Sequence, residues 1–95
     1  MDRWTVQDRA GREIYLTRRE WEEHILAHHP ELDGLLDEVL NTIRSGHRKQ
    51  DRLRPNKYFY RRLCSQLPGE YTQIVVVVLF KPEDNNYVVA AWPAD

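Results

Sequence analysis

The sequence contains one cysteine, no long apolar run and no linker rich in glycine or serine. The lone Cys64 excludes an internal disulfide, and a single thiol is typical of proteins in a reducing cytosol. The longest apolar run, residues 74–80, has seven residues, against about 20 for a membrane-spanning helix. Residues 1–12 are polar and lack the apolar stretch of a signal peptide. We therefore expect a cytoplasmic protein that has no membrane partner.

Metal-binding motifs are also scarce, since the chain has no cysteine pair and no His-Glu-x-x-His sequence. His24 and His28 are four residues apart, and two imidazoles at that spacing on a helix can ligate one zinc ion. A complete zinc site needs a third ligand. A zinc-binding regulator therefore stays as an alternative, whereas the main hypothesis below needs no metal and no cofactor.

The 95 residues suffice for one hydrophobic core, so we expect a single domain over residues 1–95. The net charge is only −1, but the charges are segregated. Residues 20–38 contain seven acidic side chains and no Lys or Arg, whereas residues 44–62 contain eight basic side chains and one acidic, Asp51. The positive field expected around residues 44–62 attracts phosphates. In the alternative interpretation, the two blocks are solvated faces that attract each other.

Two helices are predicted in the first half of the chain. Thr17 and Glu20 have the spacing of a capping box, and Pro30 ends the helix that Thr17 begins. One face of this helix combines Trp21, Ile25 and His28. A second helix has apolar residues at helical spacing, namely Leu32, Leu35, Leu36, Val39 and Ile43. Gly46 is expected to close it in the left-handed conformation.

The remaining segments have the patterns of strands. Trp4–Gln7 and Glu13–Leu16 can pair as a hairpin before the helices. After Gly46 come four candidate strands: His47–Leu53, Lys57–Leu63, Tyr71–Phe80 and Tyr87–Trp92. Helices followed by a meander predict an α+β fold with two helices packed on a four-stranded antiparallel sheet.

Histidines in the first helix and basic residues in one strand suggest phosphodiester chemistry. RNA cleavage without a metal needs a base for the 2′-hydroxyl, an acid for the leaving oxygen and cations at the phosphate. His24, His28 and His29 are candidates for proton transfer because imidazole titrates near neutral pH. Within Lys57–Leu63, residues of even and odd number face opposite sides, so Tyr58 and Tyr60 point away from Lys57, Phe59 and Arg61.

Each of these residues also has a structural interpretation. His28 can pack against the sheet, and His29 can cap the turn at Pro30. Tyrosine and phenylalanine side chains in a strand are often core residues rather than platforms for nucleobases. Residue types and spacing therefore leave catalysis and packing both open.

Four short motifs follow one another along the chain: Ile14-Tyr-Leu-Thr17, Trp21-Glu-Glu-His24-Ile25, His29-Pro30-Glu31-Leu32 and Tyr58-Phe59-Tyr60-Arg61. In these motifs the chain resembles the phage and bacterial domains grouped as barnase–EndoU–colicin–RelE-like nucleases. The resemblance extends from about Ile14 to Pro93, since the valine strand and the closing Tyr87–Trp92 also fit. It implies a metal-independent endoribonuclease, for example a toxin or mobile-element effector, with RNA as substrate and a cognate inhibitor or antitoxin as a further partner.

The resemblance also assigns roles to residues. It implies catalytic roles for His24, His29, Arg61 and Tyr60. Together with the basic block, it suggests that RNA phosphates are bound by Arg48, Lys49, Lys57, Tyr58 and Arg62. Two positions depart from the pattern: Ala90 replaces a hydroxyl residue, usually threonine, and His28 replaces an arginine. The alternative is therefore an inactive RNA- or protein-binding module of the same fold.

Overall fold

The computed structural model of the chain describes residues 2–95, which form one six-stranded sheet and two helices. The strands are β1 (Arg3–Gln7), β2 (Glu13–Thr17), β3 (His47–Gln50), β4 (Lys57–Leu63), β5 (Gln73–Lys81) and β6 (Asn85–Ala94). Helix α1 joins a π-helical stretch, Glu20–Ile25, to an α-helical turn, Leu26–His28. A 3₁₀ turn, Pro30–Leu32, precedes α2 (Leu36–Ser45). The α+β class, the hairpin and the two helices are confirmed.

The predicted four-stranded antiparallel sheet is wrong, because the hairpin joins the same sheet. The strand order is β1-β2-β6-β5-β4-β3. β2 pairs with β6 in parallel at Tyr15 and Tyr87, and the other pairings are antiparallel. The four predicted strands are present, but local sequence patterns do not show that two distant segments pair along an edge. The sheet is therefore six-stranded and mixed.

The core lies between one face of the sheet and the two helices, α1 through Trp21 and Ile25 and α2 along its apolar side. Val39 and Ile43 of α2 are fully buried in a cluster with Tyr60, Ile74 and Val76 from the central strands. Cys64 belongs to the same cluster and is buried, as expected of a small apolar side chain. We call this side of the sheet the core face.

The side turned away from α2 is called the open face. Its residues alternate with those of the core face: Lys57, Phe59, Arg61 and Leu63 of β4, Val75, Val77 and Leu79 of β5, and Tyr87, Ala90 and Trp92 of β6. A β-bulge at Val77 and Val78 shifts the register of β6. Without this bulge, alternation would turn Trp92 away from the face that Tyr87 occupies. The bulge therefore places Trp92 on the open face.

Gly46 closes α2 differently from the sequence prediction. Its backbone is extended, with φ of −73°, rather than left-handed. A Cβ atom at this position would lie 2.7 Å from the carbonyl oxygen of Arg61 and closer still to that of Thr42. Glycine is required here by the close approach of α2 to β4, so a side chain would force the two elements apart.

Within residues 2–95, neither helix has the length and apolar character needed to cross a membrane.

Candidate functional site

Alternation along β4 divides the candidate residues between the two faces of the sheet, as predicted. Tyr58, Tyr60 and Arg62 lie on the core face, whereas Lys57 and Arg61 lie on the open face. Antiparallel pairing extends this division to β3, where Arg48 pairs with Tyr60, and Lys49 pairs with Phe59. The predicted RNA-binding residues therefore do not form one surface.

Tyr60 lies inside the protein and apart from the histidines. Its side chain is 1% exposed, and its hydroxyl donates a hydrogen bond of 2.7 Å to the Asp8 carboxylate. Burial and the adjacent carboxylate raise the pKa of the Tyr60 hydroxyl. The hydrogen bond of Tyr60 thus connects β4 to the β1–β2 turn. The structure does not bring this residue, predicted to be catalytic, to the helix.

Three of the predicted phosphate ligands are likewise engaged on the core-face side. Arg48 lies over the ring of Tyr58, 4.8 Å from its centroid, and 3.7 Å from the carboxylate of Asp8. Arg62 donates a 2.9 Å hydrogen bond to Glu38 of α2. Of the five residues predicted to bind phosphates, only Lys49 and Lys57 lie on the open face.

The helical histidines meet in a cavity where α1 packs beside the last half of β6. This histidine pocket has a volume of about 150 Å³. It is lined by Glu20, His24, Ile25, His28, His29, Val89, Ala90, Ala91 and Trp92. Solvent reaches it, since the His24 side chain is 59% exposed. The structure therefore brings His24 and His29 together, as the site prediction requires, and adds His28.

Glu20 orients the imidazole of His24. The Nδ1 atom of His24 contacts a carboxylate oxygen of Glu20, one helical turn earlier. A carboxylate accepts hydrogen bonds, so this contact assigns the proton of the neutral ring to Nδ1 and the lone pair to Nε2. The same carboxylate would stabilise the imidazolium that forms when Nε2 takes up a proton. The pair has the arrangement of a general base and its orienting partner.

His28 is held in a similar way by the backbone. Its Nδ1–H donates a 2.8 Å hydrogen bond to the carbonyl oxygen of His24. The two rings are 5.1 Å apart and nearly perpendicular. The bond again leaves the lone pair of the neutral ring on Nε2. His28 is exposed, whereas Trp21 and Ile25, with which it was predicted to share a helix face, are buried. His28 therefore does not pack in the core, the alternative role considered for it.

Arg61 lies on the open face, as do Ala90 and Trp92 of the histidine pocket, but it does not line that pocket. Both Arg61 and Trp92 pair with Val75 of β5, so they flank the same central residue. Two strand spacings separate their backbones by roughly 10 Å. Trp92 therefore stands between Arg61 and the imidazoles, and Arg61 lines a neighbouring cavity instead.

Comparison of the chain with protein-family models, curated proteins and solved structures gives no match. The function is therefore argued from the site itself.

The pocket wall contains one position that bears on its chemistry. Ala90, at the position where the resemblance in sequence leads us to expect a hydroxyl residue, lines the histidine pocket. Its methyl group offers no hydrogen bond to a substrate. The side chains of the pocket that can donate hydrogen bonds are those of the histidines and Trp92.

Metal binding was the other interpretation of the histidines. Among residues 2–95, no group of three or more His, Cys, Asp or Glu side chains is placed to hold a metal ion. His24 and His28 thus have no third ligand in the part of the chain that the structure describes. The residues present do not form a structural zinc site, which normally has four protein ligands.

Two residues of the pocket were missed by reasoning from the sequence alone. Glu20 was interpreted only as part of a capping box, although Glu20, His24 and His28 follow one another at intervals of four, which places them along one helix face. Trp92 had no such signal, because its orientation depends on the bulge opposite Val77 and Val78.

Proposed function

We propose that this domain is an endoribonuclease that cleaves RNA by attack of a 2′-hydroxyl on the adjacent phosphate. The observation that carries the proposal is the convergence of His24, His28 and His29 in one solvent-reachable pocket, with a carboxylate behind His24. Proton transfer by positioned imidazoles is the main requirement of this reaction near neutral pH. A cytoplasmic location, expected from the sequence, would give the enzyme access to cellular RNA.

In this mechanism His24 is the general base. Its Nε2 takes the proton of the 2′-hydroxyl while the resulting oxygen forms a bond to phosphorus, and Glu20 stabilises the imidazolium. His29 is the general acid that donates a proton to the departing 5′-oxygen as its bond to phosphorus breaks. Protonated His28 donates to a phosphate oxygen, where negative charge increases in the transition state. The products are a 2′,3′-cyclic phosphate and a free 5′-hydroxyl.

The proposal is tested by incubating structured RNA with the protein in the presence of EDTA and identifying the new ends. We expect cyclic phosphate ends, and we expect His24→Ala to lower the cleavage rate by about 100-fold or more, the usual contribution of a general base. His47→Ala is the matched control, because His47 lies on β3 outside the histidine pocket. Absence of cleavage of every RNA tested, or an unchanged rate for His24→Ala/His29→Ala, would overturn the proposal.

A second candidate is an RNA-binding module that does not turn over its substrate. Two observations favour it: Ala90 supplies no hydroxyl to the pocket, and Arg61 lies beyond Trp92. RNA binding that weakens strongly with salt, without formation of new ends, would select this function over the enzyme.

A further inference from the structure

The open face exposes apolar side chains that the proposed proton transfers do not use. Leu53 is 91% exposed and Leu63 is 76% exposed, the highest values among the large apolar residues of the described chain. Phe59 and Trp92 are half-buried on the same face. Of these residues, Leu53 and Phe59 line one cavity, and adjoining exposed apolar groups mark a site of interaction with another molecule.

A second cavity lies beside Phe59. It has a volume of about 380 Å³, and Phe59, Leu53, Lys49 and Arg61 contribute to its walls. We call it the Phe59 cavity. Its lining combines one aromatic ring with cationic side chains, a combination that suits a flat ring joined to a phosphate.

The Phe59 cavity and the histidine pocket lie on either side of one aromatic pair. The rings of Phe59 and Trp92 meet edge to face with centroids 6.5 Å apart. Phe59 lines one cavity, and Trp92 lines the other. A ligand that extends across this aromatic pair would therefore contact both cavities.

The charged side chains around the Phe59 cavity indicate which kind of molecule could bind there. Lys49 pairs with Phe59 across β3 and β4, and the ammonium of Lys57 lies 5.5 Å from the centre of the Phe59 ring. Arg61 adds a guanidinium two residues along the strand. Asp51, the acidic residue of the cavity, accepts hydrogen bonds from the backbone N–H groups of Leu53 and Arg54, and its carboxylate lies 3.9 Å from the Lys57 ammonium. Lys57 is thus paired with Asp51, whereas Lys49, Arg52 and Arg61 line the cavity as its cations. The cations therefore complement a polyanion rather than a basic protein.

From these contacts we propose that the Phe59 cavity is a nucleotide subsite for single-stranded RNA. One base stacks on Phe59, and the attached phosphate is held by Lys49 and Arg61. The neighbouring phosphodiester then lies over Trp92 at the histidine pocket. Duplex RNA is excluded, because its bases are stacked within the helix and cannot lie on an aromatic side chain. This inference rests on the proposed function for the identity of the neighbouring pocket.

Binding of an RNA that cannot be cleaved separates this inference from the catalytic proposal. The probe is a fluorescein-labelled single-stranded oligonucleotide with 2′-O-methyl groups, and the comparison is a duplex of the same sequence. Affinity is measured by fluorescence anisotropy. We expect Phe59→Ala to weaken binding of the single strand by about tenfold, in the range found for loss of one stacked base. Phe59→Trp should restore it.

Tyr87→Ala is the matched control, because Tyr87 is an aromatic residue of the open face that lines neither cavity. Its affinity should stay within about twofold of the wild type, and thermal unfolding checks that each variant is folded. Equal losses for Phe59→Ala and Tyr87→Ala, or equal affinity for the single strand and the duplex, would overturn the subsite. Absence of binding to both forms would also overturn it and would favour a protein as occupant of this face. Failure of cleavage alone affects only the catalytic proposal.

Discussion

Adjacent residues on β4 have opposite environments. Tyr60 is buried in the core and hydrogen-bonded to Asp8, whereas Arg61 is exposed on the open face. The sequence predicts this division, because side chains alternate along a strand. It does not predict which face is covered, since the partner of Tyr60 is 52 residues away in the chain. The choice between a structural and a catalytic tyrosine therefore depends on tertiary structure.

Tyr60→Phe tests the structural role at this position. The substitution removes the hydroxyl that donates to Asp8 and keeps the ring in the core. We expect the free energy of unfolding to fall by about 2 kcal/mol, as for the loss of a hydrogen bond to a charged group. The cleavage rate of the folded variant should stay unchanged. Urea denaturation and the RNA assay measure the two effects, and a large loss of rate without a loss of stability would contradict the assignment.

The raised pKa of Tyr60 also predicts a dependence of stability on pH. An unfolded tyrosine loses its proton near pH 10, whereas burial keeps the folded hydroxyl protonated at higher pH. Above about pH 10 the unfolded state therefore binds fewer protons than the folded state, and stability falls as pH rises. Urea denaturation between pH 8 and pH 11 should show a steeper fall for the wild type than for Tyr60→Phe. Parallel curves would be inconsistent with a buried, protonated Tyr60.

At the scale of elements, α1 shows what the capping pattern predicted and what it missed. The backbone N–H of Glu20 donates a 3.0 Å hydrogen bond to Thr17 Oγ1, as a capping box requires. The Glu20 side chain, however, contacts His24. The π-helical stretch also changes the angular spacing of residues along the helix, so His28 leaves the buried face of Trp21. Local pattern thus predicted the helix and not the roles of its side chains.

Thr17→Ala tests whether the start of α1 supports the histidine pocket. The substitution removes the acceptor for the Glu20 N–H, and we expect a loss of about 1 kcal/mol in the free energy of unfolding. Looser placement of Glu20 should also reduce the cleavage rate. Thr17→Ser keeps the hydroxyl and serves as control. Equal behaviour of the two variants, in thermal unfolding and in cleavage, would argue against a role for this cap.

The strands show a similar limit of prediction. Lys57–Leu63 was predicted with its observed bounds, and the valine-rich segment, predicted as a strand, lies inside the sheet as β5. The parallel contact between Tyr15 and Tyr87 and the bulge at Val77 and Val78 were not predicted. Both arise from long-range pairing, which leaves no periodic signal in either strand. The bulge matters most, because it turns Trp92 towards the site.

At the scale of the whole molecule, the small net charge conceals an asymmetric distribution. The ion pair of Arg62 with Glu38 joins the basic and acidic blocks on the core-face side. Lys49 and Arg61 instead line the Phe59 cavity on the open face. Part of the basic block therefore neutralises α2, as the structural interpretation of the sequence held. The remainder gives one face the positive charge that an RNA ligand requires.

This distribution predicts the salt dependence of RNA binding. If Lys49 and Arg61 neutralise two phosphates, the logarithm of the association constant should fall with the logarithm of salt concentration with a slope of about −1.4, from roughly −0.7 per phosphate on a single strand. Lys49→Gln should make that slope shallower by about 0.7. Arg44→Gln is the control, because Arg44 lies on α2, whose packed sheet face is the opposite one. Anisotropy titrations at several salt concentrations measure the slope. A slope near zero, or an equal change for both variants, would show that the open face does not contact the RNA backbone.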